Sequence, residues 1–284
     1  MTNKLLWSPD SKKTLLDKFI DKLNIKIKNK KYKILHKWSI DNKEDFWNYV
    51  WDFTGIIGIK KGKILKNHKN LINSVFFENC KLNFAENLLK ENNDGDAIIF
   101  YSENQKSRKY TWKDLRLHTF KLSNYFKKNG IKSNDRIVGI LPNIPETIIA
   151  FLSSAQIGAI WSSCSSDFGP QAIIDRFKQI KPKILFVSDY YFYKNKKINT
   201  KKNIPKILKA IPSIKKVILI PYSGKTNLKK SQYILWNKIL SKDHQHLFNF
   251  LNSTMEPWDG PAAIAATDNE WVIAANDRNG LRPL

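Results

Sequence analysis

The sequence predicts an α/β protein built on a wound, largely parallel β-sheet that is flanked by helices. Three short apolar runs, at residues 137–141, 159–163 and 184–187, alternate with two stretches whose apolar residues recur at helical spacing. Strands that alternate with helices in this way are typical of parallel sheets. Because ligands of such sheets bind beyond the carboxyl ends of the strands, the polar loop at residues 162–169 is the first candidate site.

Chain breakers and helical spacing locate the two helices of this region. Pro142 and Pro145 break the first strand, and from Glu146 onward apolar residues return every three or four positions until Gly158. A second helix opens at Pro170, and its apolar residues are Ile173, Ile174 and Phe177.

The residues before this region predict mostly helices. Residues 12–23 form an amphipathic pattern, and Asp41 or Asn42 is placed to cap a second helix with an aromatic stripe that runs to residue 53. The remaining elements expected here are a strand at residues 33–36, a basic connector at residues 56–70 and a short helix at residues 83–90.

A β-hairpin and a capped helix are expected next. Thr111 and Asp114 form a capping-box pattern after strands at residues 97–101 and 109–111, and Gly130 suits the left-handed end of the helix. Beyond the three central strands we expect a basic loop at residues 192–203, a helix at residues 204–211 and a strand at residues 217–220.

Composition favours a globular protein of a reducing compartment. The chain has 284 residues, 42% of them hydrophobic, which is enough for a core. Its two cysteines, Cys80 and Cys164, lie far apart, which argues against a disulfide scaffold or a structural zinc. The N-terminus carries no apolar signal region, so we predict a cytoplasmic location. The uncharged run at residues 147–166 contains six serines and divides into helix, glycine and strand, so we expect no membrane span.

The formal net charge of +24 admits two interpretations. One is a basic nucleic-acid-binding module. The other is a general bias towards lysine, since the chain has 43 lysines and only 6 arginines, and the lysines are spread rather than clustered. Arginine is the better residue for bidentate phosphate or base contacts. We therefore predict no nucleic-acid partner and keep the nucleic-acid-binding module as an alternative hypothesis.

Four segments together resemble the AMP-forming acyl-CoA synthetases. Their order and spacing carry the resemblance, which runs over residues 4–240. The segments are KLNFAENLL at residues 81–89, YTWKDL at residues 110–115, NDRIVGILPNIPETIIAFLSSAQIGAIWSSCSSDFG at residues 134–169 and IIDRFKQIKPKILFVSDYYFY at residues 173–193. Within the family, WSSCSSDFG resembles the branch that activates acetoacetate rather than acetate.

The resemblance implies ATP-dependent activation of a carboxylate to an acyl-adenylate, followed by transfer to CoA. ATP, Mg²⁺ and CoA are the cofactors of the family, and the implied partners are small molecules, acetoacetate and CoA. By resemblance, Ser165, Ser166 and Asp167 lie where the family approaches CoA, and Lys196 lies near an arginine that meets the CoA phosphates. A loop that is polar only because it is a loop stays an open alternative. We assign no catalytic residue and no metal ligand.

The sequence lacks the loop with which this family holds the triphosphate. The segment Ser-Ser-Gly-Thr-Thr-Gly-x-Pro-Lys, expected shortly after residue 250, does not occur in the chain. Such a loop cradles phosphates with backbone N–H groups and a lysine. We therefore expect a truncated synthetase with an incomplete N-terminal domain that binds these cofactors unproductively and is inactive alone. Its expected parts are a helical region at residues 1–92 and a partial AMP-binding α/β domain at residues 93–252.

Residues 253–284 differ sharply from the rest. They contain no lysine and six alanines, and their formal net charge is −3. The segments MEPWDGPAAI and DRNGLRP resemble the class II glutamine amidotransferase domain of glutamate synthase large subunits. We expect a short, foreign, β-type tail: a turn leading into a strand at residues 258–264, and a second strand at residues 270–275. An amidotransferase-related protein is a further alternative, but we predict no such activity because residue 2 is Thr rather than the family's nucleophilic Cys.

Overall fold

A computed structural model describes residues 14–23, 32–67, 70–103, 107–222, 233–240, 263–267 and 272–276. The chain divides into two units, Met1–Lys90 and Glu91–Leu284. Each unit has its own cluster of buried apolar side chains.

Helices dominate the first unit. They are α1 (Leu15–Lys22), α2 (Tyr32–Asp41), α3 (Lys43–Thr54) and α4 (Phe84–Leu88). Four short strands lie between α3 and α4, namely β1 (Gly58–Ile59), β2 (Leu65–Lys66), β3 (Val75–Phe76) and β4 (Lys81–Leu82). β1 pairs antiparallel with β4, and β2 with β3. The helices expected at residues 12–23, 42–53 and 83–90 are therefore present, and the expected basic connector contains short strands.

The strand expected at residues 33–36 is wrong, because these residues form the start of α2. Leu35 is buried in one cluster with Phe19, Ile20 and Leu23, and Trp38 packs against the same cluster. Leu35 and Trp38 are three positions apart. A helix places such a pair on one face, whereas a strand would place it on opposite faces.

The caps of this unit differ in part from expectation. Asn42 precedes α3, but its side chain makes no cap; its Nδ2 donates to the carbonyl oxygen of Trp38 at 3.1 Å. A full capping box lies at the start of α1. There the Thr14 hydroxyl accepts from the Asp17 N–H at 3.2 Å, and the Asp17 carboxylate accepts from the Thr14 N–H at 2.8 Å.

The second unit begins with the expected hairpin. β5 (Asp96–Tyr101) pairs antiparallel with β6 (Ser107–Thr111), and α5 (Trp112–Lys128) follows directly. The Asp114 N–H donates to the Thr111 hydroxyl at 3.1 Å, and the Asp114 carboxylate accepts from the Thr111 N–H at 3.0 Å, which confirms the capping box. Gly130 follows the helix with φ of +72°, as expected for a left-handed end.

A five-stranded parallel sheet forms the core of this unit. Its strands in chain order are β7 (Arg136–Ile140), β8 (Ile160–Cys164), β9 (Ile184–Ser188), β12 (Lys216–Ile220) and β13 (Tyr233–Leu235); β10 (Tyr190–Tyr193) and β11 (Lys196–Asn199) form a separate hairpin. The order in space is β13-β12-β9-β7-β8. Every neighbouring pair is parallel. The predicted α/β class is confirmed.

Helices cover the sheet and complete its core. They are α6 (Pro145–Gln156), α7 (Pro170–Lys178), α8 (Ile204–Ala210) and α9 (Trp236–Leu240). All five residues of β9 are buried, as a central parallel strand requires. One face of the sheet packs against α7 and α8 through a buried cluster that includes Phe177, Ile173, Ile207, Leu185 and Val217.

The basic loop expected at residues 192–203 is wrong, because β10 and β11 form an antiparallel hairpin there. Tyr193 pairs with Lys196, so the loop has two residues. These residues, Lys194 and Asn195, have φ of +49° and +60°. Two successive left-handed residues form the turn that best matches the twist of a hairpin.

The tail contains the two expected strands. β14 (Ala263–Thr267) pairs antiparallel with β15 (Val272–Asn276). Residues 253–262 lie outside the described residues. Within the described part of the chain, no helix is long and apolar enough to cross a bilayer, and α6 has 12 residues.

Candidate functional site

The carboxyl ends of the parallel strands meet at one edge of the sheet. This edge is where ligands of α/β sheets bind. The segments that leave it are the loop between β7 and α6, the loop between β8 and α7, Asp189 after β9, Pro221 and Tyr222 after β12, and Trp236 after β13.

The loop after β8 carries three of the predicted site residues, and it is shorter than expected. Strand β8 includes positions 162 and 163, so the loop begins at Ser165. Ser165 and Asp167 are exposed, whereas Ser166 is 8% exposed. Among the described residues, the buried Ser166 hydroxyl has no hydrogen-bond partner. The Arg176 guanidinium lies 4.8 Å from the centre of the Phe168 ring and covers the end of the loop.

Cys164 ends β8 directly before this loop. Its side chain is buried, and burial raises the pKa of its thiol to about 11. A thiol with this pKa is protonated at neutral pH, and the thiolate is the reactive form. Cys164 therefore acts as a packing residue in the buried cluster beside the sheet.

Lys196, the fourth predicted site residue, is exposed on β11. The hairpin that holds Lys196 follows β9, whereas the loop with Ser165, Ser166 and Asp167 (the serine loop) follows β8. Strand β7 lies between β8 and β9 in the sheet. The structure thus brings Ser165, Ser166 and Asp167 together and places Lys196 on a different segment of the same unit.

A pocket of about 400 Å³ lies at the same edge of the sheet. Its walls come from the β5–β6 hairpin, the start of α6, the end of β12 and the start of α9. The lining residues are Phe100, Ser107, Arg108, Glu146, Ile220, Pro221, Tyr222, Trp236 and Asn237.

Arg108 and Glu146 form a two-pronged ion pair in this pocket. Nη1 of Arg108 donates to Oε1 of Glu146 at 2.5 Å, and Nη2 donates to Oε2 at 2.9 Å. The Glu146 side chain is 7% exposed and that of Arg108 is 35% exposed. Burial alone lowers the pKa of the Arg108 guanidinium, but the hydrogen bond and charge of Glu146 outweigh it and raise the pKa. The pair ties β6 to the first turn of α6.

Two tyrosines flank this ion pair. Burial raises the pKa of Tyr222, and burial together with the charge of Glu146 raises the pKa of Tyr110. Both phenols are therefore neutral at physiological pH. The Tyr222 ring also meets the edge of Phe192 at 5.5 Å between ring centres, which fixes its orientation.

Sequence reasoning missed this pocket. A signal was present, since Arg108 is one of only 6 arginines in a chain with 43 lysines. A planar guanidinium that pairs with a carboxylate through two hydrogen bonds cannot be replaced by lysine.

Metal ligands are not clustered in the described residues. No group of three or more His, Cys, Asp or Glu side chains there could hold a metal ion. No step is assigned to Mg²⁺.

Comparison with known proteins decides the family. The sequence matches the family model described as AMP-binding enzyme over residues 85–265, which is more than half of the chain. The chain belongs to the AMP-binding enzyme family.

Several relatives of this AMP-binding family member are acetoacetyl-CoA synthetases. That of Rhizobium meliloti (strain 1021) is 38% identical over 193 residues, covering 68% of this chain and 29% of the relative. That of Xenopus tropicalis is 36% identical over 230 residues, covering 78% of this chain and 34% of the relative. The solved structure of the enzyme from Streptomyces lividans has a TM-score of 0.69 and 29% identity, covering 75% of this chain and 33% of that one. The chain thus spans about a third of the length of these relatives.

Proposed function

We propose that the chain contributes to ATP-dependent formation of a CoA thioester from acetoacetate or a similar short acid. The observation that carries the proposal is the fold, which is similar to that of the Streptomyces lividans acetoacetyl-CoA synthetase with a TM-score of 0.69 over 75% of this chain. Identity of 38% to the Rhizobium meliloti enzyme supports the acetoacetate branch.

The loop after β8 and the β10–β11 hairpin are proposed to face CoA. The exposed ammonium of Lys196 suits a CoA phosphate, and the partnerless Ser166 hydroxyl suits a polar group of the ligand. Asp167 opposes this role, since a carboxylate repels a phosphate. We therefore assign Lys196 the larger share of the affinity for CoA.

The chain on its own is proposed not to form the acyl-adenylate. Its sequence contains no Ser-Ser-Gly-Thr-Thr-Gly-x-Pro-Lys segment, and without such a loop the charge of the triphosphate has no cradle of N–H donors. Within the chain, residues 1–92 and 93–252 are proposed as two parts of the synthetase. Residues 253–284 are proposed as a segment of glutamate-synthase type.

A hybrid enzyme tests this function. Residues 1–240 of this chain replace the matching segment of the Rhizobium meliloti synthetase, and acetoacetate-dependent pyrophosphate release and CoA thioester formation are measured. We expect both activities in the hybrid and neither in the 284-residue chain. A folded hybrid without activity would overturn the proposed function, and activity of the chain alone would overturn its proposed inactivity.

The same hybrid tests the role of Lys196. Lys196→Ala should raise the KM for CoA several-fold and leave kcat nearly unchanged, because it removes a binding charge and no reacting group. Lys206→Ala, which changes an exposed lysine on α8, is the matched control and should leave both constants unchanged. Equal changes in the KM for CoA in the two variants would show that Lys196 has no specific role in binding CoA.

A further inference from the structure

The pocket beside the Arg108–Glu146 ion pair has no part in the function proposed above. It lies at the ligand-binding edge of the sheet, and its volume of about 400 Å³ is that of a small-molecule site. Its lining combines three aromatic side chains, an ion pair and the polar side chains of Ser107 and Asn237.

The ion pair leaves one side of the Arg108 guanidinium open. The end of the group donates to both oxygens of Glu146, and Nη1 also lies 3.4 Å from the Tyr110 hydroxyl oxygen. A guanidinium has five N–H donors. Among the described residues, no hydrogen bond uses Nε or the second N–H of Nη2. These two N–H groups are parallel and form a second fork, which matches a ligand with two adjacent acceptor atoms.

The charge balance of the pocket favours a neutral ligand. The positive charge of Arg108 is matched by Glu146, and the only other ionisable lining residue that the structure describes is Tyr222, whose pKa is raised by burial. A carboxylate or phosphate on the open fork would leave an uncompensated negative charge in a partly enclosed space, which is costly. A neutral pair of acceptors avoids this cost.

Aromatic walls favour a planar ligand. Phe100 and Tyr222 are partly exposed in the pocket lining, whereas Trp236 is only 4% exposed and offers a ligand little surface. The Tyr222 ring meets the edge of Phe192, which holds it in place. A ring that is fixed in this way stacks on a planar base without a large loss of side-chain entropy.

We propose that this pocket binds a 6-oxopurine nucleoside such as inosine or guanosine. The base contacts the aromatic walls, and its O6 and N7 atoms accept from Nε and Nη2 of Arg108. This pairing of arginine with O6 and N7 is the commonest specific contact between a side chain and a base. Adenine has an amino group in place of O6, so a donor would face a donor, and adenosine should bind less well. The proposal is independent of the synthetase reaction.

Calorimetric titration of the 284-residue chain with inosine and with adenosine tests the proposal. The two probes differ at the 6-position. We expect saturable binding of inosine that is about tenfold tighter than that of adenosine. Inosine 5′-monophosphate should bind no more tightly than inosine, because the pocket offers no uncompensated cation to a phosphate. This comparison separates a nucleoside from a nucleotide as the source of the base.

Variants locate the binding. Tyr222→Leu should weaken inosine binding about tenfold, whereas Tyr222→Phe, which keeps the ring, should retain most of the affinity. Tyr193→Leu, at an exposed tyrosine of the β10–β11 hairpin, is the matched control and should have no effect. Arg108→Lys keeps the charge, removes the fork and should abolish the preference for inosine over adenosine. Circular dichroism checks that each variant is folded.

Several results would overturn the proposal. They are no saturable binding of inosine, equal or tighter binding of adenosine, tighter binding of the monophosphate, or no loss with folded Tyr222→Leu. Displacement of inosine by acetoacetate would also overturn it, since the fork would then bind a carboxylate. If Arg108→Lys unfolds, the comparison of probes on the unchanged chain still decides.

Discussion

At the scale of single residues, His118 on α5 has a partly buried imidazole that lacks a full set of hydrogen bonds. Its Nδ1 has no partner among the described residues, and its ring meets the edge of Tyr110 at 5.6 Å between ring centres. Burial lowers the pKa of His118; Lys121 acts in the same direction, and Asp114 and Glu146 oppose it. The fold therefore favours the neutral imidazole.

We predict that this histidine makes the protein less stable as the pH falls. Its pKa is lower in the folded chain than the value of about 6.5 in the unfolded chain, so the unfolded chain takes up the proton first. Its contribution is fully present above about pH 6.5 and declines below that value. Urea unfolding at several pH values between about 7.5 and 5 measures the effect.

A pair of variants assigns that pH dependence. His118→Gln should flatten the change in free energy of unfolding over this range, whereas His36→Gln, at an exposed histidine of α2, should not. An unchanged slope in His118→Gln would show that other groups cause the loss.

At the scale of the secondary-structure elements, Gly139 shows how closely the strands and side chains of the sheet pack. It lies in β7, and a Cβ atom there would lie 2.7 Å from Cη2 of Trp161 on β8. Trp161 in turn meets Phe186 of β9 at 5.8 Å between ring centres. A glycine in the middle of a strand thus marks the space that an indole ring fills.

Gly139→Ala should destabilise the protein by about 1–3 kcal/mol, because the added methyl group would overlap the Trp161 ring and force it to shift. Gly169→Ala is a matched control, since a Cβ atom at Gly169 would meet nothing within 4 Å. Chemical denaturation of both variants gives the free energies of unfolding. Similar stabilities of the two variants would contradict close packing at Gly139.

The elements also show where sequence patterns suffice. The strands and helices from β7 to β9 were predicted because long apolar runs, prolines and glycines all agree there. The strand expected at residues 33–36 was wrong because four residues are too few to separate a period of two from one of 3.6. The β10–β11 hairpin was missed because its turn, Lys194-Asn195, lacks the glycine that usually marks such a turn.

Of the two candidate sites, sequence patterns predicted the serine loop after β8 and missed the pocket beside Arg108. The serine loop was predicted because it follows one strand and needs only the rule about carboxyl ends. The pocket was missed because Arg108, Glu146, Tyr222 and Trp236 come from four elements that are far apart in the chain. Their contact depends on packing of the hairpin and helices, which local patterns do not encode.

At the scale of the whole molecule, the tail at residues 253–284 differs from the rest of the chain in composition, and its strands form a sheet of their own. In the described residues, β14 and β15 pair only with each other. A lone two-stranded hairpin is marginally stable in water. Removing residues 253–284 should therefore shift the thermal midpoint of unfolding by less than about 2 °C.

Differential scanning calorimetry checks this prediction, and a longer deletion provides the control. Removal of residues 233–284 also deletes β13 and α9, including Trp236, which is 4% exposed. That deletion should lower the midpoint by much more. A large shift from the shorter deletion would mean that the tail belongs to the folded core.

The strand order β13-β12-β9-β7-β8 has a consequence for how the sheet is assembled during synthesis. Of these five strands, β7 leaves the ribosome first, and β8 then pairs on one side of it. β9, β12 and β13 then add one after another on the other side. No later strand has to enter between two that are already paired. The sheet can grow outward from β7 as translation proceeds, so its long-range parallel pairing, which is slow in a complete unfolded chain, is divided into short steps that each extend an existing edge.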